Sequence, residues 1–185
     1  RVPKNGRFQR TPTDIYPRVI LMKEFDYDLP YKELDFTDAE TRKLYRIGRG
    51  EQGVLLVRPY TDDIRRYWRF RTIDIAETSS RAIHNMFIMY RDQDDFIGMD
   101  MCRKFLEMGF TRSRRYANHK SGRKYKTKPP YYHTGDRGGA EVLPQDSDAL
   151  TNEKSHCASI FKIVRDIVAQ DKKYIEMRRE WRANE

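Results

Sequence analysis

Residues 94–126 read DDFIGMDMCRKFLEMGFTRSRRYANHKSGRKYK, and what this stretch forms decides the architecture. Its first half is helical by period. Ile97, Met101 and Phe105 recur at i, i+4 and i+8, with Cys102 and Leu106 beside them, so one face is apolar. Asp94 or Asp95 supplies the oxygen that caps the free amides at the start. Gly109 reads as the glycine stop just past a helix end. Arg112 to Asn118 then has room for a further short helix before the Ser121-Gly122 break.

Working outward, residues 72–92 predict a long helix. Thr72 is its cap, and Ile83, Met86, Phe87 and Tyr90 share one face. Towards the C-terminus, Ile160, Phe161, Val164, Ile167 and Val168 form another apolar face. Tyr174, Met177 and Trp181 continue it after a polar break. Between residues 41 and 60, Val54 to Val57 reads as a short buried strand closed by Pro59. Thr61 to Trp68 reads as a short helix with Thr61 as cap. Residues 127–147 carry Pro129-Pro130, Gly135, Gly138-Gly139 and Pro144 and read as loop. Residues 1–40 hold Pro3, Pro12, Pro17 and Pro30 without a sustained period. They read as an extended tail that a partner orders. The expected fold is therefore mainly α with a small β element (α+β). A single compact domain spans 41–185, with a basic segment at 109–128, a loop at 129–147 and an extended N-terminal tail at 1–40.

The charge is segregated. The net charge is +9, and residues 109–133 contain eight Lys or Arg and no acid, so this one segment holds nearly all the excess. A local excess makes a local field. The cations are interleaved with Phe110, Tyr116, Tyr125, Tyr131 and Tyr132. Guanidinium forks suit phosphate, and aromatic faces suit unpaired bases. Arg112, Arg114, Arg115, Lys120, Arg123 and Lys124 are the candidate phosphate contacts. Tyr116 and Tyr125 are the candidate stacking groups, with Asn118 as a base-edge donor. The bland alternative is a solvated arm whose arginines pair with nearby acids.

Other motifs carry less. Gly48-Arg49-Gly50-Glu51-Gln52-Gly53 has dinucleotide-loop spacing, but the expected strand follows it where a helix is required. It reads as a tight turn, with Arg46, Arg49, Gly50 and Gly53 as a possible second phosphate contact. Asp92, Asp94, Asp95 and Asp100 lack the glycine and closing acid of a calcium loop. His84, His119, His133 and His156 show no metal-ligand spacing, and Cys102 and Cys157 have no CxxC partner. No metal, cofactor or catalytic residue is assigned. Two lone cysteines suit an intracellular reducing compartment: cytoplasmic, mitochondrial or of another organelle. No apolar run approaches the ~18 residues of a membrane span. Arg1 in place of an initiator Met is compatible with organellar import and with trimming.

Three blocks, GRGEQGVLLVRPY, WRFRT and DFIGMDMCRKFLEMGFTRSRRYANHKSGRKY, resemble an uncharacterised domain-of-unknown-function family with fungal, algal, bacterial and cyanophage members. The resemblance covers roughly residues 44–126 and, loosely, the C-terminal helix; residues 1–40 and 127–147 fall outside it. It implies that the glycine turn and the basic stretch belong to one recurring unit, and it brings no activity.

The first functional expectation is a non-enzymatic nucleic-acid-binding protein, an RNA-contacting subunit of a larger ribonucleoprotein such as an organellar ribosome, with neighbouring protein subunits as further partners. The second is an interaction subunit without nucleic acid, using the tail and the Tyr174/Met177/Trp181 face. The third is an enzyme acting on a phosphate-bearing substrate. An anionic lipid surface stays open as the polyanion.

Overall fold

A computed structural model describes residues 25–127 and 140–185. Its elements are helices: α1 Ala39–Arg42, α2 Tyr60–Arg65, α3 Ile73–Asp92, α4 Phe96–Asn118, α5 Glu153–Ala169 and α6 Lys172–Ala183. Helix α4 is the axis of the domain. Phe96 to Leu106 is buried on every side, as expected of a helix surrounded by its neighbours rather than laid on a surface. Helices α3 and α5 flank it, and α2 and α6 also pack against it.

Caps define most helix starts. Asp38, Thr72, Asp95, Asn152 and Asp171 each accept from backbone amides in the first turn of α1, α3, α4, α5 and α6. Thr72 and Asp95 were both legible as caps. Thr61 is not one. It lies inside α2, buried, and its hydroxyl donates to the Val54 and Val57 carbonyls at 3.0 Å each.

Two further expectations are corrected. The β element at Val54–Val57 is a run of turns; among the described residues, β pairing is confined to a single bridge between Tyr125 and Val142. The burial pattern gives the reason. Val54 and Val57 are buried while Leu55 is exposed, a spacing of three that suits a turn and not the alternation of a strand. Gly109 does not end its helix. Helix α4 runs on through Arg112–Asn118, and Gly109 is there because α5 passes close. A Cβ at residue 109 would stand 2.4 Å from Cδ1 of Phe161. Gly109→Ala is therefore expected to destabilise the fold by about 1–3 kcal/mol, the usual range for overpacking, although alanine is the better helix former. Urea denaturation followed by circular dichroism checks it.

The core also extends further towards the N-terminus than residue 41. Phe25, Tyr31 and Phe36 are buried and begin an aromatic line. Phe25 stacks on Tyr31 with ring centroids 5.4 Å apart, Tyr31 on Phe36 at 6.0 Å, and Phe36 meets Tyr45 edge-on at 6.3 Å. Tyr45 then meets Phe96, which stacks on Trp181 at 5.0 Å. Of the expected tail, residues 1–24 lie outside the described residues, as do residues 128–139 of the expected loop. On the C-terminal face Tyr174 is buried, and Met177 and Trp181 pack on the core. Met177 and Trp181 remain half-buried and also line a surface groove of about 450 Å³ beside Phe96. Ile167 departs from its apolar face and is exposed.

Candidate functional site

The basic stretch divides when folded. Arg114 turns inward, its guanidinium donating to the Ala149 carbonyl at 3.0 Å and to Asn118 Oδ1 at 2.7 Å. Arg114 and Asn118 thereby hold the segment before α5 against the end of α4. Asn152 Nδ2 completes this latch by donating to the Ala117 carbonyl at 2.9 Å. Past the helix end, Lys120 is 3.6 Å from Asp148, and Lys126 is 3.2 Å from Glu141. Lys124 leans over the Tyr125 ring at 5.5 Å, and Tyr125 is the residue of the β bridge. Part of the segment's charge is thus neutralised by residues 141–148. Arg112, Arg115 and Arg123 make no ion pair among the described residues.

Tyr116 is 40% exposed, and it points to a neighbouring feature. It forms one wall of a groove of about 780 Å³ whose remaining lining is Asp62, Arg65, Arg66, Trp68, Arg69, Phe70, Arg71 and Lys154. Its aromatic side is nearly continuous: Trp68 and Phe70 centroids are 5.0 Å apart, and those of Phe70 and Tyr116 6.0 Å. The turn at Gly122 lies against the Tyr116 ring. Four exposed arginines rim these rings. The one carboxylate, Asp62, is already engaged by Arg58 at 3.1 Å. Lys154 on α5 reaches over the Phe70 ring and donates to the carbonyls of Phe70 and Arg71, which fixes the 70–71 segment. Arg69 N–H donates to the Ser79 hydroxyl at 2.9 Å, and that hydroxyl donates to the Tyr67 carbonyl at 2.7 Å, so α3 positions the arginine-rich turn. Arg112 stands one turn before Tyr116 on the same face of α4, at the spacing that makes helix neighbours. Arg112 thereby lies on the Tyr116 face of α4, next to the groove.

A cluster of buried charges lies at the centre of the domain. Asp100, fully buried, accepts from Arg103 Nε at 2.8 Å, from the Tyr174 hydroxyl at 2.6 Å and from the Tyr45 hydroxyl. Lys104 Nζ is 3.6 Å away, and Arg178 lies at 3.5 Å on the rim. Burial acts to raise the Asp100 carboxyl, but Arg103, Lys104 and the two hydroxyls outweigh it and hold the group far below the carboxylate range. Burial pushes the Lys104 ammonium down to about 8 against the pull of Asp100. Burial, then Asp100, push Tyr45 and Tyr174 up, so both stay neutral donors. Asp100 and Lys104 are fully buried while Arg178 is partly exposed, and the cluster ties α4 to α6 and to residue 45.

The second phosphate contact does not open to solvent as a unit. Arg46 donates to the Lys43 carbonyl at 3.1 Å. Arg49 is exposed. Gly50 presents its carbonyl to Arg103 at 3.4 Å, and Gly53 is covered by Phe25. Burial pushes the thiols of Cys102 and Cys157 up, away from the nucleophilic thiolate. His119 is buried with Nδ1 3.1 Å from the Pro144 carbonyl. Among the described residues no group of acids, histidines and cysteines is arranged to hold a metal, and no helix is long and apolar enough to cross a membrane.

Fold and groove define a small helical domain with a basic, aromatic-floored surface channel. By sequence it is a member of the family described as Domain of unknown function (DUF4385), whose model matches residues 26–184. The match reaches beyond the blocks at 44–126 to include Tyr31, Phe36 and the C-terminal helices. Comparison with curated proteins and with solved structures finds no match.

Proposed function

We propose that this chain is a non-enzymatic nucleic-acid-binding protein that holds single-stranded RNA in the groove between residues 65–71 and Tyr116, within a larger ribonucleoprotein. The observation that carries the reading is the lining itself: four arginines around three contiguous aromatic rings, with a single acid that is already paired. Phosphates meet guanidinium forks at the rim, and bases have half-buried ring faces on which to stack. A duplex hides its base faces, so rings in this position favour an unpaired strand. Arg112, Arg115 and Arg123 extend the phosphate track beyond Tyr116. Lys120 and Lys124 add charge outside the groove.

Tyr116→Ala tests the stacking element without altering the charge. Stacking on an aromatic side chain contributes about 1–3 kcal/mol per base. The variant is therefore expected to bind a short single-stranded RNA roughly 5- to 150-fold more weakly, while its unfolding midpoint moves little because Tyr116 is substantially exposed. Fluorescence anisotropy of a labelled oligonucleotide, with duplex RNA and single-stranded DNA as competitors, measures it. An affinity equal to that of the wild type would remove the stacking role.

A further inference from the structure

The centre of the molecule holds one carboxylate and two buried cations. Asp100 is shared by Arg103 and Lys104, and no polar atom among the described residues accepts a hydrogen bond from Lys104 Nζ. Its ammonium stands between two rings instead, 5.0 Å from the Tyr45 centroid and 5.3 Å from that of Phe25. An ammonium has three donors, and burying it with those donors unmet is unfavourable. Such a position is suited to an anion.

Phe25 fills the space that an anion would take. Its ring is pressed into the glycine turn: a Cβ at Gly53 would fall 2.1 Å from the Phe25 Cζ, and one at Gly48 would fall 3.1 Å from its Cβ. Gly53 has φ +76°, a conformation that only glycine adopts freely. The ring therefore has bare backbone on one side and a buried ammonium on the other. Across the turn, Arg103 reaches the Gly50 carbonyl, and Arg49 stands exposed. A phosphate-holding loop offers backbone N–H groups beside a lysine; in this turn the Arg49 and Gln52 amides donate to Gln52 Oε1 and the Arg49 carbonyl, which leaves those of Gly50, Glu51 and Gly53.

We propose that the Gly48–Gly53 turn and Lys104 form a binding cradle for a phosphate group, and that Phe25 is a built-in plug that the group displaces. The incoming charge offsets the excess of buried cations, and the released ring loosens its stack on Tyr31. This site is separate from the groove and does not depend on it.

The test compares wild type, Phe25→Ala, Phe25→Leu and Phe25→Ala/Lys104→Met, each titrated with inorganic phosphate or AMP against chloride of equal ionic strength. Thermal melting and calorimetry are the readouts. With the plug seated more than about 90% of the time, its removal tightens apparent phosphate affinity by at least about tenfold. The expected result is a saturable rise in Tm for Phe25→Ala, a smaller one for Phe25→Leu, and none for the double variant. AMP binding as tightly as phosphate would assign the cradle to phosphate esters; a response to phosphate alone would assign it to the free ion. A folded Phe25→Ala or Phe25→Leu that melts identically in phosphate and chloride overturns the proposal. Should neither variant fold, wild type carries the test. Phosphate is then expected to speed amide exchange across residues 25–36 relative to chloride, and equal exchange overturns the proposal. Groove variants are expected to retain the phosphate response, so failure of the cradle and failure of the RNA reading are distinguishable.

Discussion

Asp100→Ala is expected to lower the unfolding free energy by about 3–5 kcal/mol, because it leaves the buried Arg103 and Lys104 charges without their carboxylate. Domains of this size have about 5–15 kcal/mol in all, so the loss is a large share of the total. Two neutral donors, the Tyr45 and Tyr174 hydroxyls, also lose their acceptor, and unmet buried donors add to the loss. Urea denaturation at pH 7 measures the difference. A change below about 1 kcal/mol, the scale of an exposed pair, would mean that the cluster contributes no more than a surface ion pair.

The same cluster sets a pH dependence whose sign follows from the shifts. The Asp100 carboxyl titrates lower in the folded state than in the unfolded chain. Its contribution is therefore full above the ordinary aspartate value near 4 and is lost as pH falls through the folded value. Lys104 moves the other way. Its ammonium is held at about 8 against an ordinary 10.5, so between these values the unfolded chain binds more protons and stability rises with pH. The raised Tyr45 and Tyr174 oppose this rise from about pH 10 upward. Lys104→Met is expected to abolish the rise from pH 8 to 10, because the group that titrates there is gone. Chemical denaturation across pH 3–10 reads both effects.

The second large effect is expected in binding. Arg65→Glu/Arg66→Glu/Arg71→Glu reverses three charges on the groove rim, all on exposed side chains, so the fold is expected to survive. Each arginine lost from a phosphate removes about 0.7 from the slope of log affinity against log salt on a single strand. The triple variant is thus expected to lose about two units of slope, and at low salt the affinity for single-stranded RNA falls by more than about 100-fold. Filter binding over a salt series gives both quantities. An unchanged slope would place the phosphates elsewhere, with Arg112, Arg115, Arg123 and Lys124 as the next group to reverse.

Much of the helical frame was legible because periodicity and caps are local. Thr72 and Asp95 needed only the residues around them. Gly109 was misread because a glycine after an apolar run signals a stop when the helix is alone, and signals a close crossing when Phe161 lies against it. Only the partner helix distinguishes the two. Val54–Val57 looked like a strand because a short apolar run has no period of its own. The buried cluster has a trace in the sequence: Asp100, Arg103 and Lys104 sit at i, i+3 and i+4 within a span, Phe96 to Leu106, that is otherwise apolar. The groove was hidden by averaging. Residues 64–73 contain four arginines and no acid, but residues 61–108 taken together carry a slight negative charge, so only the run after Gly109 stood out. Its assembly was not local either, since Tyr116 and Lys154 come from α4 and α5.

The most direct measurement is photo-crosslinking of a 4-thiouridine-containing single-stranded RNA to the wild-type protein, with the crosslinked residues located by mass spectrometry. Adducts on Trp68, Phe70 or Tyr116, lost in the triple arginine variant, are the expected result. The absence of adducts at low salt, or adducts confined to surfaces remote from residues 65–71 and Tyr116, would contradict the assignment of the groove.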